Sequence, residues 1–170
     1  MSDPTTGAAG RFVVDVSDEQ QAVTLDHDWL RSIVVAVLQE EGVQSAQISV
    51  ALVDDPAIHE VNRTFLEHDY PTDVISFLLE ETSAPMTDGA GPPLDGGRQI
   101  EGEVIISGET AARTADELGC PAEHETALYL VHGLLHLCGY DDRTADERAR
   151  MRQREQWHLQ KFAITANYDC

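Results

Sequence analysis

The chain has 170 residues, of which 42% are hydrophobic, so it is long and apolar enough to bury one core without disulfides and too apolar to be a disordered polymer. Its 31 acidic residues against 11 basic ones give a formal charge of −20, which suits a soluble surface and repels phosphate backbones on average, so a nucleic-acid role needs a local basic or metal-bearing cleft. Three scattered cysteines (Cys120, Cys138, Cys170) with no CxxC pair argue against a disulfide framework and exclude a thiolate zinc knuckle; no signal peptide and no apolar run long enough for a bilayer are visible, so no membrane association and a cytoplasmic location are expected.

Residues 1–10 read as a disordered tail, and Arg11 to Val16 (RFVVDV) as a short strand. Leu30, Ile33, Val34, Val37 and Leu38 recur at helical spacing, which predicts a helix from about Asp28 to Glu41, stopped by Gly42. Gln47 to Val53 alternates and reads as a strand. Asp54 can cap a following helix that carries Ile58, Val61 and Phe65 on its inner face. Pro71 breaks the chain, and Val74 to Leu79 (VISFLL) is a strong strand. Residues 82–99, rich in Pro, Gly and Asp, read as a loop insertion inside a long hairpin whose second strand is Glu103 to Ser107. A helix then runs from Ser107 or Gly108 to about Gly119. Pro121 opens another, which ends at Gly139. Residues 143–163 are charged and helical, with Met151, Trp157 and Phe162 as apolar anchors. The mixture predicts an α+β fold, a small mixed sheet packed with helices, in a single domain over residues 11–165.

The segment that carries chemistry is His132-Gly-Leu-Leu-His136-Leu-Cys-Gly139-Tyr140-Asp141-Asp142. Two histidines four apart on a helix share one face, so both imidazoles can reach one metal ion. Gly139 then ends the helix, and the chain can supply a third ligand from another direction. Asp142 is the expected one, with Asp141 as its competitor. Three protein ligands leave a position open, as catalytic metal sites do. Cys138 points away from the histidine face and reads as a buried small hydrophobe. His124 lies about 11 Å along the same stripe, too far to share the ion. His158, beside Trp157, has no partner visible in the sequence. Zincin peptidases carry glutamate after the first histidine as general base; Gly133 stands there, which removes that reading. A second segment, Pro71-Thr72-Asp73 before the strand at Val74, has an ordinary structural role in view: proline fixes a turn, and the Thr and Asp side chains satisfy backbone donors.

At these two segments the chain resembles the YbeY family of bacterial metal-dependent endoribonucleases. The family motif H-G-x-L-H-L-x-G-Y-D-H is matched by HGLLHLCGYDD at all but the last position. The family's P-T-D-V-L-S-F resembles Pro71 to Phe77, its G-D-I-x-I-S resembles Gly102 to Ser107, and its Met-x-x-x-Glu resembles Met151 and Glu155. The resemblance spans about Gln47 to Glu155. It implies one divalent ion, zinc, on His132, His136 and Asp142, and hydrolysis of single-stranded RNA near the 3′ end of small-subunit ribosomal RNA. Ribosomal RNA and the small subunit or its assembly factors would be the partners, with a part in ribosome quality control and no DNA substrate. Aspartate replaces the family's third histidine, and Leu66 stands where the family has an arginine; leucine cannot hold a phosphate. The expected working set is therefore His132, His136, Asp73 and His68 for catalysis, with Arg63 and His68 for RNA binding. Two other readings remain open on the sequence: a metal-binding ribosome-assembly protein without strong nuclease activity, and a non-haem iron enzyme that uses the two-histidine, one-carboxylate set.

Overall fold

Ala46, Ile48, Val50 and Leu52 alternate with more exposed neighbours, which is the pattern of a strand with one face on a core. They belong to β2 (Val43–Val53), the centre of a sheet whose other members are β1 (Phe12–Asp18), β3 (Val74–Ser83) and β4 (Arg98–Ser107). The computed structural model describes residues 12–66, 72–83 and 98–165; the tail expected at 1–10 lies outside them, as do 84–97 of the expected loop and His68.

The strand order is β1-β2-β4-β3, with β1 parallel to β2, β2 parallel to β4, and β3 antiparallel to β4. Parallel neighbours need a crossover, and α1 (His27–Glu40) supplies the one between β1 and β2. Its stripe of Leu30, Ile33, Val34, Val37 and Leu38 is fully buried, as the spacing predicts. Asp26 caps it by accepting from the amides of Asp28 and Trp29.

The hairpin strands run further than the sequence suggests. Thr82 pairs with Gln99 and Ser83 with Arg98, so positions read as loop are ladder. The pairing also slips between Leu78 and Glu80, a bulge in β3. Leu78 and Leu79 are exposed beside it.

The helices divide between the sheet faces. α2 (Asp55–Leu66) covers one, where Ile58, Ile75 and Ile105 form a small cluster of their own. Phe65, expected on the inner face of α2, is 67% exposed; its ring lies edge to face with Phe77, centroids 6.0 Å apart. The other face carries the main core and α4 (Ala122–Leu137), flanked by α1, α3 (Gly108–Leu118) and α5 (Ala145–Leu159). A helix hydrophobic all round is one enclosed on several sides, and eleven residues of α4 are buried. On α5, Met151 is buried as expected, while Trp157 is only half-buried and lies under the cationic groups of Arg154 and Lys161. The architecture is α+β with a mixed four-stranded sheet.

Candidate metal centre

His132 and His136 lie one turn apart on α4 with their rings edge to face, centroids 4.6 Å apart. Between them in sequence, Gly133 lies directly on the sheet. A Cβ built there would stand 2.8 Å from Val104 Cγ1. The glycine that removes the peptidase reading is thus also the residue that lets the helix approach the sheet.

The chain after α4 is fixed at both ends. Gly139 takes φ 108°, its amide donates to the His136 carbonyl, and the Tyr140 amide donates to the Leu135 carbonyl. This is the Schellman arrangement, which turns the chain back over the last helical residues. Two residues beyond Asp142, Thr144 begins α5 with a capping box: its hydroxyl accepts from the Glu147 amide, and the Glu147 carboxylate accepts from the Thr144 amide. The short segment between these two caps holds the one acidic member of the group, Asp142. Asp142 presents Oδ2 to the histidines, 3.4 Å from His132 Nε2 and 3.5 Å from His136 Nε2. Asp141 turns elsewhere, accepting from the Asp142 amide and pairing with Arg143.

The two Nε2 atoms are 3.1 Å apart, so the three donor atoms form a triangle with edges of 3.1 to 3.5 Å. Ligands at about 2.0–2.1 Å from a tetrahedral ion are separated by about 3.3–3.4 Å. The triangle fits such an ion, and among the described residues this is the one group of three with ligand atoms so gathered. His124 is not part of it.

Glu155, on α5, reaches His132 from behind. Glu155 is 2% exposed, and its carboxylate accepts from His132 Nδ1 at 2.5 Å. A carboxylate can only accept, so the Nδ1 proton is fixed and the Nε2 lone pair faces the triangle. Burial disfavours the imidazolium, but the Glu155 hydrogen bond and the charges of Glu155, Asp142 and Asp73 outweigh it and raise the His132 pKa. Reading the sequence did not give Glu155 this part; the signal was the Met-x-x-x-Glu spacing, which sets the buried anchor Met151 and the carboxylate on one face of α5.

The triangle opens on a cleft that extends both ways. One part, of about 580 Å³, runs past Thr110, Arg113, Arg148 and Arg152; the other, of about 700 Å³, runs past Asn62, Leu66, Leu78 and Arg143. Asp73 lines both, its Oδ1 held by the Val74 amide at 2.7 Å and its own carbonyl by the Ser107 amide. The buried carboxyl of Glu125 also lines the first part, and burial raises its pKa. Arg63 is exposed and paired with Glu60; it lines neither part. Leu66 lines the second. Cys138 is buried as expected, and burial pushes its thiol up to about 12, so it offers no thiolate. His158, which has no partner in sequence, meets Glu41 in space at 2.6 Å.

A family model described as "Endoribonuclease YbeY" matches residues 15–163. Proteins named Endoribonuclease YbeY are 36% identical in Salinibacter ruber over 146 residues (86% of this chain, 89% of the relative) and 41% identical in Rhodopirellula baltica over 163 residues (91% and 77%). One from Moorella thermoacetica is 44% identical over 128 residues, covering 75% and 80%. A solution structure of a Thermotoga maritima protein superposes with a TM-score of 0.55 over 89% of this chain and 92% of that one, at 20% identity, which shows a shared fold.

Proposed function

The chain belongs to the YbeY family of endoribonucleases, and from that premise we propose that it hydrolyses phosphodiester bonds of single-stranded RNA at one divalent ion held by His132, His136 and Asp142. The observation that carries this reading is the triangle of donor atoms with 3.1 to 3.5 Å edges on the floor of an open cleft. Zinc is the ion we assign, because two imidazoles and one carboxylate form a set it takes in catalytic sites. Bound there, such an ion supplies Lewis acidity toward a phosphate oxygen and lowers the pKa of water.

The chain's own groups do the rest. Glu155 orients His132 and keeps its Nδ1 proton in place. Asp142 adds a negative charge that two neutral imidazoles lack, which binds a cation more tightly and leaves the bound water less acidic than an all-histidine set would. Asp73 braces the cleft on the wall shared by its two parts, held rigid by the Val74 amide. His68 and Arg63 are the residues we assign to RNA binding, with His68 also helping catalysis. The cellular substrate we assign is ribosomal RNA, near the 3′ end of the small-subunit species, with the small subunit or its assembly factors as partners in maturation and quality control in the cytoplasm. Residues 11–165 are proposed to act as one unit.

The test uses a single-stranded oligoribonucleotide. The wild-type chain should cleave it with zinc supplied and stop when a chelator is added, and the His132→Ala, His136→Ala double variant should not cleave it. Cleavage by the double variant equal to wild type would overturn the reading.

A further inference from the structure

Five of the 11 basic residues of the chain fall between positions 143 and 154, in a molecule of charge −20. Two of them, Arg148 and Arg152, stand one turn apart on α5 and line the same part of the cleft as His132 and Asp142. Arg113, from α3, lines that part too. Both α5 arginines are exposed. The guanidinium of Arg148 donates to the carbonyls of Asp142 and Arg143, 3.4 and 3.2 Å away. Carbonyl partners orient it and leave its charge uncancelled. Arg154, Arg98 and Arg31, by contrast, are each matched to a carboxylate.

We propose that Arg148 and Arg152 seat a backbone phosphate of the RNA chain adjoining the one at the metal triangle, so that the strand enters along α5. The proposal rests on the hydrolase reading above and adds to it the direction in which substrate lies. A strand approaching a surface this acidic is repelled except where cations project, and on the α5 side they project into the cleft beside the triangle. Hydrogen bonding of Arg148 to the carbonyl of Asp142 also couples the two: the arginine is held by the residue that supplies the third donor. Planar guanidinium groups suit phosphate oxygens better than an ammonium does. Arg150 supplies the internal comparison. It carries the same charge on the same helix, but it lies about 200° round from Arg148 and does not line this part of the cleft.

The experiment is equilibrium binding of a fluorescent single-stranded oligoribonucleotide to the full chain, in chelator so that nothing is cleaved, over a series of salt concentrations. The Arg148→Ala, Arg152→Ala double variant should bind about tenfold more weakly at low salt, and its log–log salt slope should be shallower by about 1.4, for two lost contacts to a single strand. The double lysine variant, Arg148→Lys with Arg152→Lys, should keep the wild-type slope, and Arg150→Ala should match wild type in both measures. A wild-type slope in the double alanine variant would overturn the seat, as would an equal loss in Arg150→Ala. If the wild-type chain binds no RNA at any salt, the hydrolase reading fails, and the seat with it.

Discussion

The buried carboxylate of Glu155 decides which nitrogen of His132 faces the cleft. Without it, either tautomer serves; with it, Nδ1 keeps its proton, and the neutral ring turns its lone pair at Nε2 toward the triangle. Glu155→Gln should therefore weaken zinc binding about 10- to 100-fold while leaving the fold intact, as measured by competition with a chromophoric chelator. The proton on His132 matters in the same way. Its pKa is raised in the metal-free fold, so the imidazolium stabilises that fold below the ordinary histidine value near 6.5, and the contribution disappears as pH climbs through the raised value. An ion must displace that proton. Zinc affinity should rise about tenfold per pH unit up to the raised value and level off above it, which calorimetry at a series of pH values will show. The histidine pair was legible from spacing alone because four residues along a helix is a local distance. Asp142, the expected third ligand, does bring its Oδ2 to the histidines, while its competitor Asp141 pairs with Arg143; the turn between two caps aims the two side chains apart.

Among the elements, α4 and α5 are held in place by two contacts far apart in sequence. The first is the seat of Gly133 on Val104. A methyl group at that position meets a β-branched side chain with 0% exposure, which cannot easily give way. Gly133→Ala gains up to about 1 kcal/mol in helix propensity and loses about 1–3 kcal/mol to overpacking. We expect a net destabilisation of about 1 kcal/mol in urea unfolding and weaker zinc binding as the histidines shift. The second contact is at Glu41, just past α1. Its carboxylate accepts from the Tyr140 hydroxyl at 2.9 Å, from Arg154 Nε at 2.5 Å and from His158 Nε2 at 2.6 Å, so it ties the turn carrying Asp142 and the helix carrying Glu155 to α1. Burial alone would raise its pKa, but these hydrogen bonds and the Arg154 charge pull it down to about 2. A depressed carboxylate stabilises the fold above its ordinary pKa near 4.5, and that stability is lost as pH falls from there toward 2. Glu41→Ala should cost about 1–3 kcal/mol at neutral pH by leaving Tyr140, Arg154 and His158 without their shared acceptor, and the variant should lose much of the wild type's acid dependence between those limits.

Most elements could be read from periodicity, and the discrepancies have physical reasons. The hairpin strands were placed too short because Glu80 to Ser83 and Arg98 to Gly102 carry one large apolar residue between them, Ile100; it is buried in the core, but a single position makes no alternating stripe, and the backbone ladder does the pairing. Phe65 continues the stripe of Ile58 and Val61 in sequence, yet near the end of α2 it stays exposed, with its ring set edge to face against Phe77 of β3. The partners of Glu155, His158 and Glu41 lie on different helices, and nothing local to any one of them reveals the others.

For the molecule as a whole, the donor set draws together one helix and the turn after it, and Glu155 adds a second helix. Unfolding must then release the ion. Zinc at about 100 times its dissociation constant should stabilise the fold by about 2.7 kcal/mol. That corresponds to a rise in Tm of about 5–10 °C for a domain of this size, reversed by chelator. The charge of the whole chain could be counted from its composition, but its arrangement could not: the sequence shows arginines crowded into 143–154, and only the fold shows two of them lining the cleft beside the triangle.

The triangle of His132, His136 and Asp142 is the feature on which the metal chemistry depends. Isothermal titration of zinc into chelator-stripped wild type and Asp142→Ala tests it most directly. We predict one ion per chain in the wild type and an affinity at least about 100-fold lower in the variant, the loss of one of three protein ligands. Equal affinity and stoichiometry in the two proteins would contradict the assignment of Asp142, and no binding in either would contradict the metal centre itself.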